Sequence, residues 1–181
     1  GNNGSGKTVL MKCICGFLIP TEGEVIVNGK HVGRDVDFPP DMGIIIETPG
    51  FLPNMTGVKN LEILASLNKK IGLEQIAAAI RRVGLDPLMK KPVGKYSLGM
   101  RQRLGIAQAI MEDPALLILD EPLNGVDKHG VREMRQLIKG LKEQGKTILL
   151  ASHNQGDIDE LCDTVCEMDA GVMTMIREES I

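Results

Sequence analysis

The first eight residues, Gly1-Asn2-Asn3-Gly4-Ser5-Gly6-Lys7-Thr8, fill the pattern G-x-x-x-x-G-K-[ST] at every fixed position. No other stretch of the chain limits its fold so tightly. Glycines let a backbone curl until its N–H groups converge on phosphate oxygens. A helix that starts there turns its positive end toward the same anion. Lys7 is expected to reach the β- and γ-phosphates, and Thr8 to offer its hydroxyl to Mg²⁺. Alone, the pattern specifies a nucleoside triphosphate and nothing finer.

Such a loop joins a strand to a helix inside an α/β domain. The rest of the chain reads accordingly. Lys7 to Gly16 is expected to be helical, Glu22 to Asn28 a strand and Met42 to Glu47 a short buried strand. Three helical patterns follow, at Gly57 to Lys70, Leu73 to Val83 and Gly99 to Glu112, with no convincing strand from Phe51 to Asp113. Alternation then resumes: a strand at Leu116 to Asp120, a helix at Lys128 to Gln144, a strand at Thr147 to Ser152 and a helix at Asn154 to Cys162. A hairpin is expected around Asp169-Ala170-Gly171. The expectation is an α/β fold, a phosphate-loop nucleoside triphosphatase (RecA-like) core on a parallel sheet. Residues 1–50 and 113–181 form that core, and residues 51–112 an inserted α-helical subdomain.

The sequence opens on the loop itself, without the strand that should feed it. We therefore expect an N-terminally truncated chain whose N-terminal strands are missing, the feeding strand belonging beside the Asp120 strand. A sheet lacking it would leave backbone groups unpaired, so the isolated chain is expected to be unstable.

No apolar run approaches the ~18 residues of a membrane span. With 21 Lys and Arg against 24 Asp and Glu, the net charge is −3. That balance argues against a general nucleic-acid binder, and no nucleic-acid partner is expected. The four cysteines, at 13, 15, 162 and 166, form no CxxC pair and are expected to be buried small hydrophobes.

Two further segments carry chemistry. Leu116 to Leu119 is apolar and ends in Asp120-Glu121. Asp120 could hold Mg²⁺, and Glu121 could act on the attacking water as general base. About twenty residues earlier stands Tyr96-Ser97-Leu98-Gly99-Met100-Arg101-Gln102-Arg103. Ser97 offers a hydroxyl, Gly99 allows close backbone approach, and the helix beginning there points its N–H groups outward.

Together these segments resemble the ABC ATPase family. The Ser97 segment is similar to its signature, usually L-S-G-G-Q, with Ser97 and Gly99 matching and Leu98 and Met100 departing. Asn124-Gly125-Val126-Asp127 resembles the family's D-loop, and His153 stands where the family has its switch histidine. Glu47 occupies the place of the Q-loop glutamine. The resemblance runs from Gly1 to about Met175. It implies ATP as ligand, with Gly1, Asn2, Asn3, Gly4, Ser5, Gly6, Lys7 and Thr8 on the phosphates. It implies Mg²⁺ held by Thr8, Glu47 and Asp120, and catalysis by Glu121 and His153. Ser97, Leu98, Gly99 and Met100 would touch the nucleotide of a second subunit in a head-to-tail dimer.

The run Glu47-Thr48-Pro49-Gly50-Phe51-Leu52-Pro53-Asn54-Met55-Thr56-Gly57 resembles the bacitracin-export and lantibiotic self-protection branch, and Tyr96-Ser97-Leu98-Gly99-Met100 points the same way. The resemblance thus implies an ATPase subunit exporting a peptide antibiotic or similar amphipathic compound. It would be peripheral to the cytoplasmic face of a bacterial plasma membrane, docked on an integral membrane permease. A non-transport ABC ATPase of translation or DNA maintenance is the alternative. Neither a second cassette nor long heptads appear in this sequence to favour it.

Overall fold

The computed structural model describes residues 4–178. Its centre is a parallel sheet of three strands, β3 (Met42–Ile45), β4 (Leu116–Asp120) and β5 (Thr147–Ala151), in the order β3-β4-β5. Met42 is in register with Leu116, and Leu116 with Thr147. The run Leu117-Ile118-Leu119 is almost fully buried because both faces of β4 are covered. Successive side chains leave opposite faces of a strand. Ile118 accordingly meets Met11 and Cys15 of the first helical segment, whereas Leu117 and Leu119 join the core built by the later helices.

Helix α1 (Lys7–Ile14) springs from the phosphate loop. A small hairpin follows, β1 (Ile26–Val27) with β2 (Lys30–His31). The expected strand over Glu22 to Asn28 shrinks to two residues here. The Asn28-Gly29 turn forms as expected, both residues at positive φ. No third described strand joins this pair, and Ile26 stays half exposed.

Between β3 and β4 come α2 (Gly57–Asn68), α3 (Leu73–Arg82) and α4 (Leu98–Ile110). Thr56 caps α2 by accepting from Lys59 N, and Ser97 caps α4 by accepting from Met100 N. Helix α3 buries Ile76, Ala79 and Ile80 and leaves Arg81 and Arg82 in solvent, as its period of 3.6 requires. Leu61, Ile80 and Leu104 are at most 2% exposed, each worth about 1.5–3 kcal/mol of burial. Helix α4 lies against β3 so closely that a Cβ on Gly43 would collide with the Ala109 carbonyl. Only glycine lets these backbones meet.

Helix α5 (Lys128–Glu143) returns along the sheet and buries Met134, Ile138 and Leu141. Helix α6 (Gln155–Leu161) and the antiparallel pair β6 (Val165–Asp169) and β7 (Val172–Arg177) complete the described chain. The hairpin turns at Ala170-Gly171, both at positive φ.

Two expectations need correction. The place beside the Asp120 strand that was expected for a further strand is filled, because β4 is paired on both sides, by β3 and β5. Nor are the cysteines uniformly buried. Cys15 is, Cys13 and Cys162 are half-buried, and Cys166 is exposed on the hairpin.

Candidate functional site

The phosphate loop, the ends of β3 and β4 and the start of α4 converge on one cavity of about 360 Å³. A larger concavity of about 510 Å³ lies between α2 and α3 and is lined by none of the expected site residues. The smaller cavity is the one that gathers the expected residues.

Gly4 and Gly6 adopt positive φ, 79° and 107°, which is how the loop curls ahead of α1. The loop is held from outside. Gly171 N–H of the terminal hairpin donates to Ser5 O at 3.0 Å, and Met168 covers Gly6. Lys7 Nζ donates to Ser5 Oγ at 3.3 Å. Gly1, Asn2 and Asn3 lie outside the described residues.

Thr8 and Asp120 meet across the cavity floor. The Thr8 hydroxyl donates to Asp120 Oδ2 at 2.6 Å, and Asp120 is 6% exposed. A hydroxyl and a carboxylate, both hard oxygens, beside a phosphate-binding loop suit Mg²⁺, which takes few protein ligands and completes its shell with phosphate and water.

Glu121 follows Asp120 and leaves the strand through a left-handed backbone, φ 47°. This is unusual for a residue with a side chain and costs about 1–2 kcal/mol. Its N–H donates to Ala151 O at 2.9 Å. Its carbonyl accepts from Asn124 N at 3.2 Å and from Gln102 Nε2 at 3.0 Å. Its carboxylate is equally constrained: Oε2 lies 2.8 Å from His153 Nδ1, while Oε1 is buried with no partner. A buried carboxylate oxygen without a hydrogen bond is costly unless something binds there.

His153 itself is largely exposed, and its corner is built from beneath. The Ser152 hydroxyl donates to Asp157 Oδ2 at 2.8 Å, and Ser152 Oγ accepts from Asn154 N. Asp157, 4% exposed, also receives two bonds from Arg135 of α5, at 2.9 and 2.6 Å. The Asp157 carboxylate, and behind it Glu160, holds the Arg135 guanidinium above its usual pKa.

Glu47 also has a left-handed backbone, φ 58°, and lines the cavity beside Thr48. Its carboxylate turns to Lys12 Nζ at 2.6 Å rather than to Thr8 or Asp120. The signature-like residues sit at the cavity rim and beyond. Ser97 and Leu98 are exposed, Gly99 and Met100 half-buried, and Leu98 reaches the cavity wall. A Cβ on Gly125 would strike the Leu98 side chain, and one on Gly99 would come within 2.9 Å of Gly125 O. The start of α4 therefore presses on the loop that follows Glu121. Asp127 caps α5, accepting from His129 N and Gly130 N at 3.0 Å each. The Gly130 N–H above all keeps its carboxyl below the ordinary range.

Lys12 and Gln102 escaped the residue-by-residue reading. Helical spacing places Lys12 one turn beyond Thr8, which was a usable signal. Gln102 is a polar residue five positions into a helix, and only its burial, at 6% exposure, reveals a partner.

A family model described as ABC transporter matches residues 1–124. YybJ of Bacillus subtilis (strain 168), an uncharacterized ABC transporter ATP-binding protein, is 43% identical over 171 residues, 94% of this chain and 78% of its own length. The bacitracin transport ATP-binding protein BcrA of Enterococcus faecalis is 43% identical over 94% of this chain and 56% of its own. The lantibiotic transport ATP-binding protein SrtF of Streptococcus pyogenes is 35% identical over 98% of this chain and 76% of its own. This chain thus spans little more than half of some relatives.

Among solved structures, the dimeric cassette MJ0796 in a post-hydrolysis state with ADP and Pi superposes with a TM-score of 0.83 at 21% identity, covering 98% of this chain and 83% of that one. The cbiO1 subunit from Clostridium perfringens gives 0.78 at 29% identity, over 96% and 73%. The fold is that of a phosphate-loop ATP-binding cassette, and the chain belongs to the ABC transporter ATP-binding proteins.

Proposed function

We propose that this chain binds ATP in the 360 Å³ cavity and hydrolyses it to ADP and phosphate, with Glu121 as general base. The observation that carries this is the Glu121 carboxylate: one oxygen is steadied by His153 and the other is buried and unpartnered at a phosphate-loop cavity. Water attacks the γ-phosphorus, the bond to the bridging oxygen of the β-phosphate breaks, and Glu121 takes the water's proton. The phosphate-loop amides and Lys7 hold the triphosphate oxygens. Thr8 and Asp120 would hold Mg²⁺, with Glu47 as a further ligand once released from Lys12. Bound there, Mg²⁺ neutralises charge on the phosphates. His153 Nδ1 keeps Glu121 aimed.

The reading extends to assembly. Residues 1–50 and 113–181 act as the nucleotide-binding core and 51–112 as a helical subdomain whose Ser97 to Met100 segment meets ATP of a second, head-to-tail subunit. Ser97 Oγ accepts from its own helix, yet its O–H remains a donor for such an anion. MJ0796, a cassette described as dimeric, supports a dimer as such. The names of BcrA and SrtF, bacitracin and lantibiotic transport ATP-binding proteins, support transport of a peptide antibiotic; on this reading the transport is export, the partner is a membrane permease and the chain is attached peripherally to the membrane. No helix among the described residues is long and apolar enough to cross a membrane.

The test is Glu121→Gln in the full-length protein with its membrane partner. The expected result is a fall in kcat of about 10²–10⁴-fold with ATP affinity retained. Unchanged hydrolysis would refute the assignment.

A further inference from the structure

We propose that Gln102 is a positioning residue for Glu121, through which helix α4 sets the aim of that carboxylate. The inference rests on the reading of Glu121 as base and goes beyond it. Gln102 is buried, and its side-chain amide donates to the Glu121 carbonyl at 3.0 Å. That bond spans nineteen residues and joins two elements that otherwise meet through the 121–126 loop.

Three anchors define the Glu121 backbone. Its N–H is tied to β5 through Ala151 O, and its carbonyl to its own loop through Asn124 N and to α4 through Gln102. A residue at φ 47° sits in a narrow well from which small rotations redirect the side chain. The carbonyl bond fixes the peptide plane next to that rotation. A carbonyl oxygen accepts two hydrogen bonds, so Asn124 N–H keeps it satisfied without Gln102. Orientation, rather than satisfaction of a buried group, is what Gln102 adds.

The position of Gln102 on its helix gives this bond a direction of influence. Ser97 caps α4 four residues before Arg101, and Gln102 lies just over one turn from the exposed Ser97-Leu98 end. Leu98 and Gly99 abut Gly125 in the same loop. A ligand engaging the first turn of α4 would therefore act on the Glu121 loop at two points, one by packing and one through Gln102.

The experiment uses the full-length protein with its partner subunits and measures steady-state kinetics and thermal melting. Gln102→Met keeps the shape and removes the donor; Gln102→Leu is a second variant, shorter, apolar and likewise unable to donate. We expect kcat to fall about 10- to 100-fold, the scale of loss that misplacing a catalytic group by up to about 1 Å brings. ATP KM should stay within about twofold and Tm within about 2 °C, since no buried group loses its last partner. Wild-type kcat in either folded variant overturns the proposal. So does a fall in kcat matched by loss of ATP binding and a lower Tm, which is what a packing role produces. Glu121→Gln run alongside separates the two ideas: if it stays active the base assignment itself fails, whereas if it is dead and the Gln102 variants are normal, only this inference fails.

Discussion

Lys12 Nζ lies 2.6 Å from Glu47 Oε1, joining the last turn of α1 to the segment two residues past the end of β3. The pair neutralises a carboxylate that would otherwise add negative charge beside a triphosphate. It is also open to water, with Glu47 62% exposed in its side chain, so it contributes no more than about 1 kcal/mol. An interaction that weak can yield to a metal ion. Lys12→Met is expected to lower the Mg²⁺ concentration giving half-maximal hydrolysis by up to about fivefold, the factor that ~1 kcal/mol commands. A Mg²⁺ titration checks this, and an unchanged midpoint would show that Glu47 does not reach the metal.

Thr8 and Asp120 make a sharper case, because their contact is short and half-buried. Thr8→Val keeps the β-branched shape and removes the hydroxyl. ATP affinity measured in EDTA should hold, while the gain on adding Mg²⁺ should drop by about 10- to 100-fold. Equal losses in both media would mean that the hydroxyl serves the fold alone.

The Arg135, Asp157 and Ser152 network lies under the His153 corner, and Asp157 is its buried centre. Removing one partner strands the others. Asp157→Ala should cost about 3–5 kcal/mol in urea unfolding, and Asp157→Asn, which still accepts hydrogen bonds, should cost less. A change below ~1 kcal/mol for the alanine variant would mean that solvent reaches Arg135 readily.

Burial raises the Cys15 thiol pKa to about 11 and pushes Cys162 upward as well. Reactivity follows the thiolate. Under native conditions at neutral pH, a maleimide should label the exposed Cys166 first and Cys15 last, with Cys15 reacting only on unfolding. Mass spectrometry of timed labelling reads the order directly.

Much of the site was legible because its chemistry demands residue types at short spacing. The Gly4 to Thr8 loop and the Asp120-Glu121 pair are local patterns, and β4 is apolar from Leu116 to Leu119 because both its faces are covered. Helices α3 and α5 announced themselves by period. Strand neighbours were another matter. Placing the loop-feeding strand beside β4 failed because pairing order is set by crossover connections, and β3 and β5 take both edges. The over-long strand at Glu22 to Asn28 failed because alternation marks a candidate face, while hydrogen bonding to a neighbour decides its length.

By itself, then, the sequence determined the triphosphate loop, the carboxylates at strand ends, the helical stretch between them and the family these imply, since each rests on contacts within a few residues. Only the tertiary structure decided that Lys12 holds Glu47, that Gln102 reaches the Glu121 carbonyl and that one Glu121 oxygen is paired while the other waits unpartnered. These join residues 19 to 35 positions apart, or leave one atom alone, and no local pattern encodes which distant side chain folding will bring within 3 Å.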